Sequence, residues 1–105
     1  MPERRALKHS KEAMKLVKAL RGEYAIGDSG GLAILEELAA NYDTIQEASQ
    51  VVRRDGLTVP GDRGGVKAHP LLAVIRDARA SLLQCLKMLN LDVVPLKDVG
   101  RPPGT

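Results

Sequence analysis

The fold of this 105-residue chain is decided by residues 56–89, which read GLTVPGDRGGVKAHPLLAVIRDARASLLQCLKML. Apolar residues recur along the second half of this stretch at steps of four and three, the spacing of one face of an α-helix. The seam consists of Leu71, Ile75, Ala78, Leu82, Cys85 and Leu89. Pro70 suits the first turn of a helix, and Asn90 is expected to end it. We therefore predict a helix from Pro70 to about Leu89.

The first half of the same stretch predicts a short β-hairpin. Residues 57–59 and 66–68 can form strands, and the segment 60–65 between them has the proline and glycine content of a turn. Its glycines do not follow the GxxxxGK[ST] spacing of a phosphate-binding loop, so we interpret them as turn residues. A hairpin this short is marginal alone and should pack on the helices or on a neighbouring subunit.

A second long helix is predicted upstream, from about Gly30 to Arg54, with Asp28 or Ser29 as its N-cap and Gly56 beyond its end. Its seam steps by three and four residues and consists of Leu35, Leu38, Tyr42, Ile45, Ser49 and Val52. Two helices with matching seams and a compact connection should pack side by side in opposite directions. The carboxylates on this helix, Glu36, Glu37, Asp43 and Glu47, are interpreted as solvated.

The N-terminal segment predicts a basic amphipathic helix from about Arg4 to Arg21, ended by Gly22. Residues 1–22 carry seven lysines and arginines against two carboxylates. Most of these cations fall within an arc of roughly 80° around the helix axis. Such a face binds phosphate strongly and without sequence preference, although a merely solvated face is the alternative. The candidate DNA-binding residues are Arg4, Arg5, Lys8, Lys11, Lys15 and Lys18.

The composition limits the chain to one small domain, which suggests that self-association adds stability. Tyr24 and Tyr42 are the only aromatic residues, so the core must be aliphatic. Cys85 is the only cysteine, and its place among apolar helix residues predicts a buried, inert thiol. No apolar run approaches the roughly 20 residues of a membrane helix, so a soluble protein is expected.

Candidate catalytic and metal-binding residues are scarce. His9 and His69 have no cysteine or carboxylate at metal-ligand spacing, so we predict no catalytic residue, metal or cofactor. His69 precedes Pro70 and is interpreted as structural, ending the hairpin and starting the helix. The charged residues Arg76, Asp77 and Arg79 are expected to face solvent or, alternatively, to pair at a subunit interface or with the second helix.

Three short motifs resemble the P27-type family of phage terminase small subunits. The resemblance covers most of residues 29–95, and the motifs are Gly56-Leu57-Thr58-Val59, His69-Pro70-Leu71 and Arg76-Asp77-Ala78. It implies a non-catalytic, ring-forming factor in the host cytoplasm that recognises double-stranded viral DNA. Its partners would be the terminase large subunit, which owns the ATPase and nuclease activities, and further copies of itself, with Arg76, Asp77 and Arg79 at the oligomer interface.

The predicted architecture is mainly α. A basic amphipathic helix (1–22) and a linker (23–31) precede a helical-hairpin oligomerisation core (32–90) that carries the short β-hairpin in its connection, and an irregular tail (91–105) follows. The rival hypothesis is a small dimeric basic DNA-binding regulator, although no helix-turn-helix is recognisable. An enzyme of unknown type is a third possibility, for which no catalytic constellation is present.

Overall fold

The computed structural model describes residues 9–89, which form three helices and one two-stranded β-hairpin. In chain order these are α1 (Lys11–Tyr24), α2 (Ser29–Asp55), β1 (Thr58–Pro60), β2 (Val66–Ala68) and α3 (Leu71–Met88). The prediction of a mainly α chain with a helical hairpin and a β-hairpin in its connection is therefore confirmed. The predicted helix end at Asn90 and the irregular tail from Leu91 lie outside the described residues.

Helices α2 and α3 pack along the seams that the sequence predicts. Leu35 and Leu38 of α2 are 1% and 0% exposed, and Ala78 and Cys85 are the buried residues of α3. The remaining seam positions are buried or partly buried, and none is exposed. Ala39 and Ala48 are also buried on α2, because small side chains let neighbouring backbone approach closely. The core is therefore a narrow aliphatic layer between two long helices.

Helix α1 begins and ends later than predicted. Ser10 has extended backbone angles and caps the helix, its Oγ accepting a hydrogen bond from the Ala13 N–H at 3.0 Å. A continuous helix from Arg4 was therefore wrong. Gly22 lies inside the helix, which ends at Tyr24. Ala25 then takes the left-handed conformation at φ 52°, and the Ile26 N–H reaches the Arg21 carbonyl, so these bonds rather than a glycine stop the helix.

The β-hairpin stands away from the helices. Its antiparallel strands pair Thr58 with Ala68, Val59 with Lys67 and Pro60 with Val66. The first strand therefore begins and ends one residue later than the predicted strand 57–59, whereas the second strand has the predicted bounds. Only Val59 is partly buried, whereas every residue of β2 is exposed. A 3₁₀ turn, Asp62–Gly64, joins the strands. Packing of the hairpin on its own helices is thus limited, and packing on a neighbouring subunit stays a prediction.

None of the helices in residues 9–89 is long and apolar enough to cross a membrane.

Candidate nucleic-acid interface

The cationic face of α1 points away from the rest of the molecule. Lys11, Lys15 and Lys18 are exposed and border one open surface depression together with Met14 and His9. Their spacing of four and three residues puts all three ammonium groups on one side of the helix. The opposite side is turned towards α2, where Ala13 is completely buried. The predicted DNA-binding residues Arg4, Arg5 and Lys8 lie outside the described residues.

The start of α1 is held against α2 by a carboxylate. The Ser10 backbone N–H donates to Asp43 Oδ2 at 2.8 Å, and the Ser10 hydroxyl donates to Asp43 Oδ1. The same hydroxyl accepts the capping bond from α1, so it serves the helix and the tertiary contact together. Asp43 is partly buried, with 18% of its side chain exposed. Its interpretation as a solvated position was wrong, because sequence spacing contains no sign of a partner 33 residues away.

His9 adds a second polar contact at the same end of the helix. Its Nε2 lies 2.9 Å from Glu36 Oε1, and its Nδ1 lies 3.9 Å from Asp43 Oδ2. The imidazole is mostly buried between these carboxylates, whereas Glu36 is largely exposed. We call the four residues His9, Ser10, Glu36 and Asp43 the α1 clamp. The α1 clamp fixes the rotation of the helix about its axis and so directs the lysines outward.

The three lysines of α1 have no carboxylate partner among the described residues. The salt bridges found within residues 9–89 involve His9, Arg54, His69 and Arg76, and none includes Lys11, Lys15 or Lys18. Like charges at this helical spacing repel one another when nothing neutralises them. An external polyanion would relieve that repulsion, and a nucleic-acid backbone supplies negative charge at high density.

His69 joins the ends of α2, the β-hairpin and α3. Only 6% of it is exposed, and its Nε2 lies 3.0 Å from Asp55 Oδ2 at the end of α2. Its Nδ1 accepts the Leu71 N–H at 3.1 Å, so the ring proton belongs on Nε2, which donates to Asp55. The His69 backbone N–H donates to the Leu57 carbonyl at 2.8 Å. The predicted structural role of His69 at this junction is confirmed by these bonds.

Asp55 receives two hydrogen bonds at the same junction. The Arg54 guanidinium donates to Oδ1 at 2.9 Å, and His69 donates to Oδ2. These bonds, the Arg54 bond first and the His69 bond second, hold the pKa of the Asp55 carboxyl below its ordinary value. A charged Asp55 therefore stabilises the connection between α2 and α3 at neutral pH.

The charged residues of α3 point to solvent, while the alanine between them points inward. Arg76 Nε donates to Asp77 Oδ1 at 3.2 Å, and both side chains are largely exposed. Arg79 is exposed as well, and Ala78 is buried against α2. The ion pair joins neighbours along the chain, so it does not link α3 to α2. The assignment of Arg76, Asp77 and Arg79 to an oligomer interface stays a prediction.

Cys85 is buried in the seam, as predicted. Burial raises the pKa of its thiol, and the nearby negative charge of Glu37 raises it further. A raised pKa keeps the sulfur protonated at neutral pH and lowers its nucleophilicity. Across residues 9–89 no three histidine, cysteine or carboxylate side chains lie close enough to hold a metal ion.

Comparison with models of known protein families gives a match. A family model described as the small subunit of phage terminase matches residues 28–101. The matched region includes α2, the β-hairpin and α3, and it leaves out α1 with its lysines. Comparisons with curated proteins and with solved structures gave no match. The family assignment therefore rests on the helical hairpin and does not extend to α1.

Proposed function

We propose that this chain, which belongs to the phage terminase small-subunit family, is a non-catalytic factor that recognises viral DNA and delivers it to the large subunit. In this proposal copies of the chain assemble into a ring in the host cytoplasm, and the large subunit supplies the ATPase and nuclease activities. The observation that carries the DNA-binding part is the row of three lysines on the outward face of α1, which have no carboxylate partner within residues 9–89.

The geometry of that row suits the phosphate backbone of duplex DNA. Lys11 and Lys18 are seven residues apart, and a helix rises 1.5 Å per residue, so the row is about 10 Å long. Duplex DNA carries one negative charge per roughly 1.7 Å of its axis, so several phosphates face a row of that length. Contacts of this kind are salt-dependent and carry no sequence information.

Assembly into a ring would multiply these contacts. One row of lysines binds weakly, whereas repeated rows on one closed assembly bind the same duplex with an effective concentration that raises the overall affinity. Apolar side chains left exposed on α3 support self-association, namely Val74, Leu83 and Met88. In the proposed ring, Arg76, Asp77 and Arg79 lie near the neighbouring subunit, and the segment from Leu91 onward contacts the large subunit.

The decisive experiment for DNA binding removes the three charges of α1. We expect Lys11→Ala, Lys15→Ala and Lys18→Ala together to weaken binding to duplex DNA at least tenfold at low salt. The slope of log K against log salt should fall by about 2 to 3, because each lost phosphate contact contributes about 0.9. Fluorescence anisotropy with a labelled duplex at several salt concentrations measures both quantities.

A control variant with the same change of net charge separates direct contacts between the lysines and the phosphates from the general electrostatic attraction between the protein and DNA. Gln46→Glu, Gln50→Glu and Gln84→Glu alter three exposed side chains of α2 and α3 and also lower the net charge by three. This variant should keep most of the wild-type affinity. Equal losses in both variants, or full affinity in the lysine variant, would remove α1 from the DNA surface.

A further inference from the structure

Positive charge is concentrated at two separate places along the chain. Residues 22–52 contain six carboxylates and no lysine or arginine. Residues 53–79 then contain six lysines and arginines against three carboxylates, and all six cations are exposed. This second cationic region includes the end of α2, the β-hairpin and the first half of α3. It is separated in sequence from the lysines of α1 by the acidic residues 22–52.

Four of these six cations have no carboxylate partner within the described part of the chain. Arg54 pairs with Asp55, and Arg76 pairs with Asp77. No salt bridge within residues 9–89 includes the others, which are Arg53, Arg63, Lys67 and Arg79. Two of them, Arg63 and Lys67, lie on the β-hairpin. The hairpin also carries one exposed carboxylate, Asp62, which forms no salt bridge with either cation within the described residues, so residues 58–68 have a net charge of 2 − 1 = +1.

Arg63 is held at the tip of the hairpin in a conformation that arginine rarely adopts. Its φ is 63°, in the left-handed region, inside the 3₁₀ turn between the strands. A residue other than glycine in this region costs of order 1 kcal/mol. Gly64 beside it also has a positive φ, at 82°. The turn thus places a long cationic side chain between the two strands, at a position where glycine would be less strained.

The strands are poorly suited to pairing with a strand of another protein. Each is three residues long, and Pro60 lacks the N–H that a ladder needs. Lys67 places a charge in the middle of β2, a common protection of strand edges. In contrast, the major groove of B-DNA admits a two-stranded ribbon, and its walls are lined with phosphates. The shape and the charge of the hairpin both favour a nucleic-acid partner.

We propose that the β-hairpin is a second duplex-DNA contact, in which Arg63 and Lys67 bind phosphates along the edge of a groove. Arg53, in the last turn of α2, borders a surface depression beside Gly56 and Leu57, where the hairpin begins. It would extend the DNA contact from the hairpin onto the end of α2. This inference rests on the proposed DNA-binding function and adds a site to it. The chain then contacts the duplex through α1 and through the hairpin.

The test removes both hairpin charges without disturbing the turn. Arg63→Gly suits the left-handed backbone and preserves the hairpin, and Lys67→Ala is combined with it. We expect the double variant to bind duplex DNA three- to tenfold more weakly at low salt. The slope of log K against log salt should fall by about 2, because two phosphate contacts are lost. Its mass in solution should equal that of the wild type.

The control is Gln46→Glu with Gln50→Glu, which changes the net charge equally on exposed positions of α2. If the hairpin variant binds like this control while the α1 lysine variant loses affinity, the hairpin inference is overturned and the proposed function stands. If neither variant loses affinity, both are overturned. A hairpin variant that fails to assemble but binds DNA with an unchanged salt slope identifies the hairpin as a subunit contact and also overturns the inference.

A cross-linking experiment tests independently whether the β-hairpin contacts duplex DNA. Cys85 is buried, so a cysteine introduced by Arg63→Cys can be labelled selectively with a photoactivatable cross-linker. We expect cross-links from position 63 to duplex DNA and none from a Gln84→Cys control on α3. Cross-links to a neighbouring protein chain alone would contradict the proposal.

Discussion

Single residues hold α1 in place, and the most important contact is the one between Ser10 and Asp43. The Asp43 carboxylate accepts both the backbone N–H and the hydroxyl of Ser10. Because the same hydroxyl caps the helix, loss of the carboxylate affects the cap and the packing of α1 together. Asp43 of α2 thus helps to hold α1 in the orientation that turns its lysines outward, together with the other residues of the α1 clamp and the buried Ala13.

We expect Asp43→Ala to lower the free energy of unfolding by about 1–3 kcal/mol, because it leaves partly buried hydrogen-bond donors without an acceptor. Urea denaturation followed by circular dichroism measures the change. Glu47→Ala, on the exposed side of the same helix, is the matched control and should change stability by less than about 0.5 kcal/mol. Equal stability of the two variants would show that the α1 clamp contributes nothing.

The Asp55 carboxyl makes the junction between α2 and α3 sensitive to acid. Hydrogen bonds from Arg54 and His69 lower its pKa in the folded state. Its contribution to stability is therefore present above the pKa of the unfolded chain and is lost as the pH falls through the lower, folded value. We expect the unfolding free energy to decline below about pH 4 and the decline to be shallower in Asp55→Asn. Identical pH profiles for the two proteins would contradict this assignment.

At the scale of elements, two adjacent leucines of α3 test the helical hairpin. Leu82 is partly buried in the seam with α2, whereas Leu83 is 59% exposed. We expect Leu82→Asp to cost several kcal/mol, because it puts a charge into an apolar contact. Leu83→Asp should leave the subunit folded. Thermal unfolding of both variants is the measurement, and similar melting temperatures would contradict the observed seam.

Sequence patterns predicted the packing faces of α2 and α3 but not the ends of α1. The seams of α2 and α3 follow directly from residue spacing, because a helix repeats every 3.6 residues whatever it packs against. The limits of α1 do not follow in this way. Gly22 can continue a helix as well as end one, so the position of the stop depends on hydrogen bonds formed beyond it by Ala25 and Ile26.

At the scale of the whole molecule, the chain belongs to the phage terminase small-subunit family and separates two cationic regions by an acidic one. The lysines of α1 and the cations around the β-hairpin lie on either side of residues 22–52, which contain no lysine or arginine. In a ring, both regions would be repeated in every subunit. Each subunit of such an assembly would then contact the duplex twice, once through the lysines of α1 and once through the cations around the β-hairpin.

The mass of the assembly in solution tests the proposed ring. We expect a species of eight or more chains by light scattering or native mass spectrometry, since a closed ring must be large enough to present many DNA contacts. A dimer would favour the alternative of a small DNA-binding regulator. A monomer at high protein concentration would contradict the ring and would leave the exposed apolar side chains of α3, Val74, Leu83 and Met88, without an explanation.

The sequence alone determined the two long amphipathic helices, the β-hairpin between them and the start of α3 after Pro70. These features depend on local periodicity and on turn residues, which act between neighbours in the chain. Tertiary structure decided which way the lysines of α1 point and how little the hairpin packs on the helices. Those features depend on contacts such as the one from Ser10 to Asp43, between residues 33 positions apart that no local pattern connects.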